Sequence, residues 1–165
     1  QPLTPDRPGP VVGRGRARRL TRRPPLEPVL VRGRVRVVVD AWDQADGNKA
    51  HRRLGLSRLG YQVIDATGTP VAGAAPPRST ILFDRMPRFP DAPRLVYANG
   101  SGIPVYGAAR TQFLYVVTTT YDNGVAAQGF WDTTTLPPGP YTVRVWAQDF
   151  SGNTTTRDVR TVVVP

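Results

Sequence analysis

The sequence has no cysteine. That absence excludes a disulfide framework, thiolate catalysis and thiolate metal ligation, while leaving the compartment open, because many exported bacterial proteins also lack cysteine. Histidine occurs once, as His51, and glutamate once, as Glu27. A Ser-His-Asp triad would have to recruit His51, and no serine lies in a Gly-x-Ser-x-Gly elbow. Ser101, within Asn99-Gly100-Ser101-Gly102, comes nearest and reads as a turn serine. Carboxylate pairs for glycoside hydrolysis would have to come from Asp residues that sit mainly at strand ends and turns, where turn capping accounts for most of them. No apolar run approaches the roughly 20 residues that cross a bilayer as a helix. Helical periodicity is missing as well. The sequence opens on Gln1 instead of Met and begins without a signal-peptide pattern, so a processed product or a piece of something longer is expected.

What is present is a phrase used twice. Val35-Arg36-Val37 runs through Val39 and Ala41-Trp42-Asp43 into Asp46-Gly47-Asn48, and Val143-Arg144-Val145 runs through Ala147-Gln148-Asp149 into Ser151-Gly152-Asn153. Each copy is a strand with alternate apolar side chains, ending in an Asp/Gly/Asn turn. Val35, Val37, Val39 and Ala41 share one face, as do Val143, Val145 and Ala147, while Arg34, Arg36 and Asp40, or Arg144 and Gln148, point the other way.

Further strands follow the same logic. Val29 to Trp42, Leu59 to Ala66, Ser79 to Asp84, Leu95 to Tyr97, Thr111 to Thr119, Val125 to Trp131, Thr142 to Gln148 and Arg157 to Val164 are the expected set. The stretch from Thr111 to Thr119 is close to apolar on both sides and reads as a central strand. Tyr121-Asp122-Asn123-Gly124 predicts a hairpin, because Asn-Gly supplies the positive φ angles of a two-residue type I′ turn. Seven to eight short strands at this spacing predict an all-β, antiparallel, immunoglobulin-like β-sandwich. Between Arg85 and Arg110 four prolines and three glycines break the pattern, and an irregular connection of that length is a place where function sits.

The net charge of +10 is unevenly placed. Residues 1–36 hold ten Arg against Asp6 and Glu27, leaving +8, while the remainder carries twelve basic and ten acidic groups. We therefore divide the chain into residues 1–28, an extended Arg/Pro-rich linker or docking segment that orders by lying along a neighbour, and a β-sandwich domain over residues 29–165. Arg14, Arg16, Arg18, Arg19, Arg22 and Arg23 suit a polyanion: nucleic-acid phosphates, a teichoic-type polymer, lipid headgroups or an acidic protein face. The segment lacks aromatic residues for base stacking, which speaks against single-stranded nucleic acid. A solvated linker is the plainer reading of the same run.

Three further candidates carry binding chemistry. Asp40, Asp43, Asp46 and Asn48 offer oxygens for calcium, with Asp43, Asp46 and Asn48 the better set because strand alternation separates Asp40 from Asp43. The spacing does not match an EF-hand loop, and ordinary turn chemistry accounts for the same residues. Trp42 and Trp146 lie, by alternation, opposite the valine faces, where they would either stack on sugar rings or be covered by the leading segment or a neighbouring subunit. His51, beside Arg52 and Arg53, reads as a solvated loop histidine rather than a lone metal ligand. No cofactor is expected.

The text from Leu26 to Pro165 resembles a known type of module. Leu136-Pro137-Pro138-Gly139-Pro140-Tyr141, then Val143 to Asp149, Gly152-Asn153 and a valine-rich last strand, look like the final strands of bacterial immunoglobulin-like or fibronectin-III-like modules. Together with Val39 to Asp43, Leu56 to Val63, Ile81 to Asp84 and Tyr97 to Gly107, the stretch is similar to the β-sandwich extension of secreted M23 (lysostaphin-like) zinc metallopeptidases. That resemblance implies an exported, envelope-associated protein whose module is non-catalytic and binds a protein partner or a cell-wall polymer in scaffolding, wall association or assembly. The zinc motifs of such peptidases, His-x-x-x-Asp and His-x-His, cannot be built from one histidine. An active peptidase would need its zinc domain upstream of Gln1. The sequence is silent on oligomeric state.

Overall fold

The computed structural model describes residues 10–13 (backbone only), 27–43, 53–102 and 112–165. Among the described residues, twelve strands and one short helix follow one another in this order: β1 Pro10–Gly13, β2 Val29–Val31, β3 Arg34–Asp40, β4 Arg58–Asp65, β5 Pro70–Gly73, β6 Ile81–Leu82, α1 Ala92–Val96, β7 Leu114–Val116, β8 Thr120–Asp122, β9 Val125–Ala127, β10 Trp131–Asp132, β11 Gly139–Gln148 and β12 Thr154–Val163. They form two sheets. The smaller has β3 at its centre, paired with β1, β7 and β10; the larger runs β2-β12-β11-β4-β6-β8-β9, with β5 also on β4.

The two copies of the repeated phrase are β3 and β11, one in each sheet. Val35, Val37 and Val39 of β3 and Val143, Val145 and Ala147 of β11 belong to one buried cluster, together with Val63 and Tyr61 of β4, which stand opposite Val143 and Val145 in the larger sheet. Alternation therefore does what it predicts: each sheet turns its valine face inward and the interior is shared. The class is all-β and sandwich-like. Both faces of the small sheet are apolar along β7, since Tyr115 points into the main core while Val116 and Val38 are buried in a second cluster with Ala98 and Leu114 beside it.

Several details differ from the sequence expectation. The run from Val29 to Trp42 is broken at Gly33 (φ 71°), so β2 joins the larger sheet and β3 the smaller. Two pairings are parallel, β2 with β12 and β6 with β8. The Asn123-Gly124 turn has the expected positive φ values of 51° and 75° and closes the β8–β9 hairpin. That hairpin stops at Ala127, however, and Trp131 crosses to pair with Val35 of β3. Leu95 and Val96, expected in a strand, lie in helix α1, which follows Asp91 and has Pro93 as its second residue. Five residues are too few to show a helical period, but Pro in a first turn loses no hydrogen bond, and Ala92 and Val96 are four apart and buried together. The leading segment contributes β1, in antiparallel register with β3. Among the described residues, no helix is long and apolar enough to cross a membrane.

Candidate functional site: an apolar end with an aromatic cleft

The strand registers gather many loops at one end of the sandwich. Gln148 pairs with Arg58, and Arg58 with Leu82, so the turn after β11, the approach to β4 and the exit from β6 lie side by side. Ser57 stitches them: its N–H donates to the Gln148 carbonyl at 2.9 Å, its Oγ donates to the Asp149 carbonyl at 2.6 Å, and its own carbonyl accepts from Phe83 N–H at 2.9 Å. The β8–β9 hairpin joins the same end, where Gly124 O accepts from Arg88 N–H at 2.8 Å.

Among the described residues six large apolar side chains are strongly exposed, and five of them hang from these loops: Leu54, Met86 (86 %), Phe89 (62 %), Val125 and Phe150 (73 %). Only Leu30 lies elsewhere, opposite Val162 near the far end of β12. Scattered single apolar residues are normal on a surface, whereas a set confined to one end marks a contact region.

Within this end a cleft of about 400 Å³ opens between the exit of β6 and α1, lined by Phe83, Asp84, Arg85, Met86, Pro87, Pro93, Val96, Tyr97 and Tyr121. Its walls continue into a ladder of rings: Phe83 lies 6.2 Å from Tyr97, 6.0 Å from Tyr115 and 5.2 Å from Tyr121 between centroids. Burial pushes the hydroxyls of Tyr97, Tyr115 and Tyr121 up from their ordinary range. Two of those hydroxyls are already engaged: Tyr121 donates to the Arg85 carbonyl at 2.6 Å, and Tyr115 accepts from Leu56 N–H at 3.2 Å. A neutral phenol is neither nucleophile nor base near neutral pH, so the cleft presents ring faces and proline edges suited to an apolar or aromatic group.

The residues expected from sequence fall differently. Arg14, Arg16, Arg18, Arg19, Arg22 and Arg23 lie outside the described residues, as do Asp46, Asn48 and His51. Asp43 makes a backbone bridge to Leu54. Among the described residues no three His, Cys, Asp or Glu side chains gather as a metal site. Ser101 is a turn residue, its Oγ accepting from Leu114 N–H at 3.2 Å.

Neither tryptophan is a surface contact. Trp42 is 8 % exposed and packs in the same cluster as Val35, Val37 and Val39, not opposite them, because β3 stops at Asp40 and the alternation stops with it. The Arg53 guanidinium carbon lies 3.5 Å from its ring centroid. Trp146 does lie opposite the valine face of β11, yet it is 2 % exposed: the indole crosses Gly60, its strand partner, and its N–H points at the Ala74 carbonyl 3.5 Å away. Its cover comes from within the domain.

Sequence does not single out the cleft residues; Arg85, Met86, Pro87, Pro93, Val96 and Tyr97 fall in the Pro-broken connection marked there as the place for function, while Phe83, Asp84 and Tyr121 lie outside it. No family model, no curated protein and no solved structure matches the chain.

Proposed function

We propose that this chain is a non-catalytic β-sandwich accessory module of an exported bacterial envelope protein, acting in scaffolding, cell-wall association or complex assembly through its apolar end. The observation that carries the reading is the gathering of Met86, Phe89, Phe150, Leu54 and Val125 on loops of one end around an aromatic and proline-lined cleft. The strands serve as a rigid frame for those loops, and the groups lining the cleft are suited to contact and not to bond making. The exported setting is supported by the resemblance of Leu26 to Pro165 to the extensions of M23-type peptidases.

The test is a triple variant, Met86→Ser, Phe89→Ser and Phe150→Ser. Each side chain is exposed, so the variant is expected to unfold within about 0.5 kcal/mol of the unaltered chain per site. In affinity capture from native envelope fractions it should lose a partner that the unaltered chain retains. Equal retention by both would overturn the assignment of this end, and turnover of peptidoglycan by the chain alone would overturn the non-catalytic reading.

A second reading rests on a separate observation, the +8 charge of residues 1–36. We propose that Arg14, Arg16, Arg18, Arg19, Arg22 and Arg23 hold an anionic polymer through salt-sensitive, sequence-independent contacts.

A further inference from the structure

We propose that the outer edge of β3 is a strand-docking edge, and that Pro10–Gly13 of a second copy of this chain can take it in place of the chain's own. This goes beyond the docking role assigned to the apolar end and uses none of its residues.

Backbone direction decides which polar groups of β3 face each of its edges. Val37 O accepts from Val117 N–H at 2.9 Å, and Ala41 N–H donates to Phe113 O at 3.2 Å, so the odd-numbered residues of β3 turn their polar groups toward β7. By the alternation of an antiparallel ladder, Arg36 and Val38 turn theirs to the opposite edge. There Gly13 stands opposite Arg36 and Val11 opposite Val38, and among the described residues β1 is the only strand on that edge. Left empty, the edge would expose the unpaired groups of a strand whose Val37 and Val38 are otherwise buried, a ready template for another chain.

The occupant suits exchange. It has only four residues. Pro10 stands opposite Val39, a pair whose ladder groups face away from each other, so the missing proline N–H falls on the outside and costs no bond. Fifteen residues, 14–28, connect Gly13 to Val29. Fully extended, that connection spans up to about 50 Å, enough for the strand to leave its own β3 and pair with that of a neighbour. The backbone bonds are the same in either arrangement, so effective concentration sets the balance, the condition under which identical elements swap.

The absence of cysteine makes the test direct. Opposed residues of a hydrogen-bonded antiparallel pair have Cα atoms about 5.5 Å apart, within disulfide reach. Full-length Val11→Cys and Val38→Cys chains are mixed, warmed, cooled and oxidised. The expected result is an interchain disulfide joining the two, rising with protein concentration and lost when Thr156→Cys, on the outer face of β12, replaces Val38→Cys. Light scattering on the cysteine-free chain gives a second reading: a dimer fraction that grows with concentration and is lost in Val11→Pro, which removes a ladder N–H. A Val11→Cys/Val38→Cys double variant that closes within its own chain, with no interchain product at any concentration, overturns exchange. Failure of the double variant to close at all, or equal cross-linking to Thr156→Cys, overturns the docking edge itself.

Discussion

Substitution of Gly60 by alanine should destabilise the domain through a single contact. A Cβ built at Gly60 lies 2.6 Å from Trp146 Cε2 and Nε1 and 2.7 Å from Cζ2. Carbon atoms pack at about 3.5–4.0 Å, so the indole would have to retreat by about 1 Å. It has little room, being 2 % exposed and held toward the Ala74 carbonyl. Overpacking of this kind costs about 1–3 kcal/mol. Alanine recovers about 0.5–1 kcal/mol in a strand because it loses less backbone entropy than glycine. The net expectation is a loss of about 1–2 kcal/mol, read by urea denaturation, or a fall in Tm of about 2–8 °C for a chain of this size. The reasoning is isolated by a double-mutant cycle with Trp146→Val. In that background the clash is gone, so Gly60→Ala should be neutral or stabilising. If Gly60→Ala costs the same in both backgrounds, the close approach is not what fixes glycine there.

Four further outcomes follow from other parts of the molecule. Asp149 is 2 % exposed and accepts from Ser151 N–H, Asn153 N–H and Asn153 Nδ2 at 2.8, 2.9 and 2.7 Å, so Asp149→Ala removes three part-buried bonds to a carboxylate and should cost about 1.5–3 kcal/mol, with loss of hydrogen-exchange protection across residues 151–153. Because burial raises the Tyr61, Tyr97, Tyr115 and Tyr121 hydroxyls, the folded chain keeps protons that the unfolded chain releases near pH 10; stability should hold below that pH and fall as pH rises above it, and Tyr115→Phe should make the fall shallower in urea melts taken across that range. Arg144 meets Asp158 in a two-bond pair at 2.8 Å, but both are substantially exposed, so Asp158→Asn should cost no more than about 1 kcal/mol and less in 1 M salt by the same denaturation assay. Replacing Arg14, Arg16, Arg18, Arg19, Arg22 and Arg23 by glutamine should abolish low-salt retention on an anionic-polymer column; unchanged retention would remove the polyanion reading.

The parts of the fold that repeat at period two were legible in the sequence. Val35-Arg36-Val37 and Val143-Arg144-Val145 announced their strands and inner faces, and Asn123-Gly124 announced its hairpin, because each signal is local and backbone geometry leaves few alternatives. Signals weakened where one residue decided the geometry. Gly33 splits an apparently continuous strand between two sheets, and the end of β3 at Asp40 turns Trp42 inward, against the alternation that placed it outside. The cleft was visible only as a break in pattern. Its walls come from the exit of β6, a five-residue helix and Tyr121 of another strand, and their approach depends on pairings such as Ile81 with Tyr121 that no short window of sequence contains.

The claim that the apolar end is the working surface is tested most directly by site-specific photo-cross-linking in the native protein. A photoreactive residue placed at Met86 or at Phe150 should yield the same defined adduct, whereas one placed at Thr156, on the outer face of the large sheet, should yield none. Adducts from Thr156 alone, or none from Met86 and Phe150, would contradict the account.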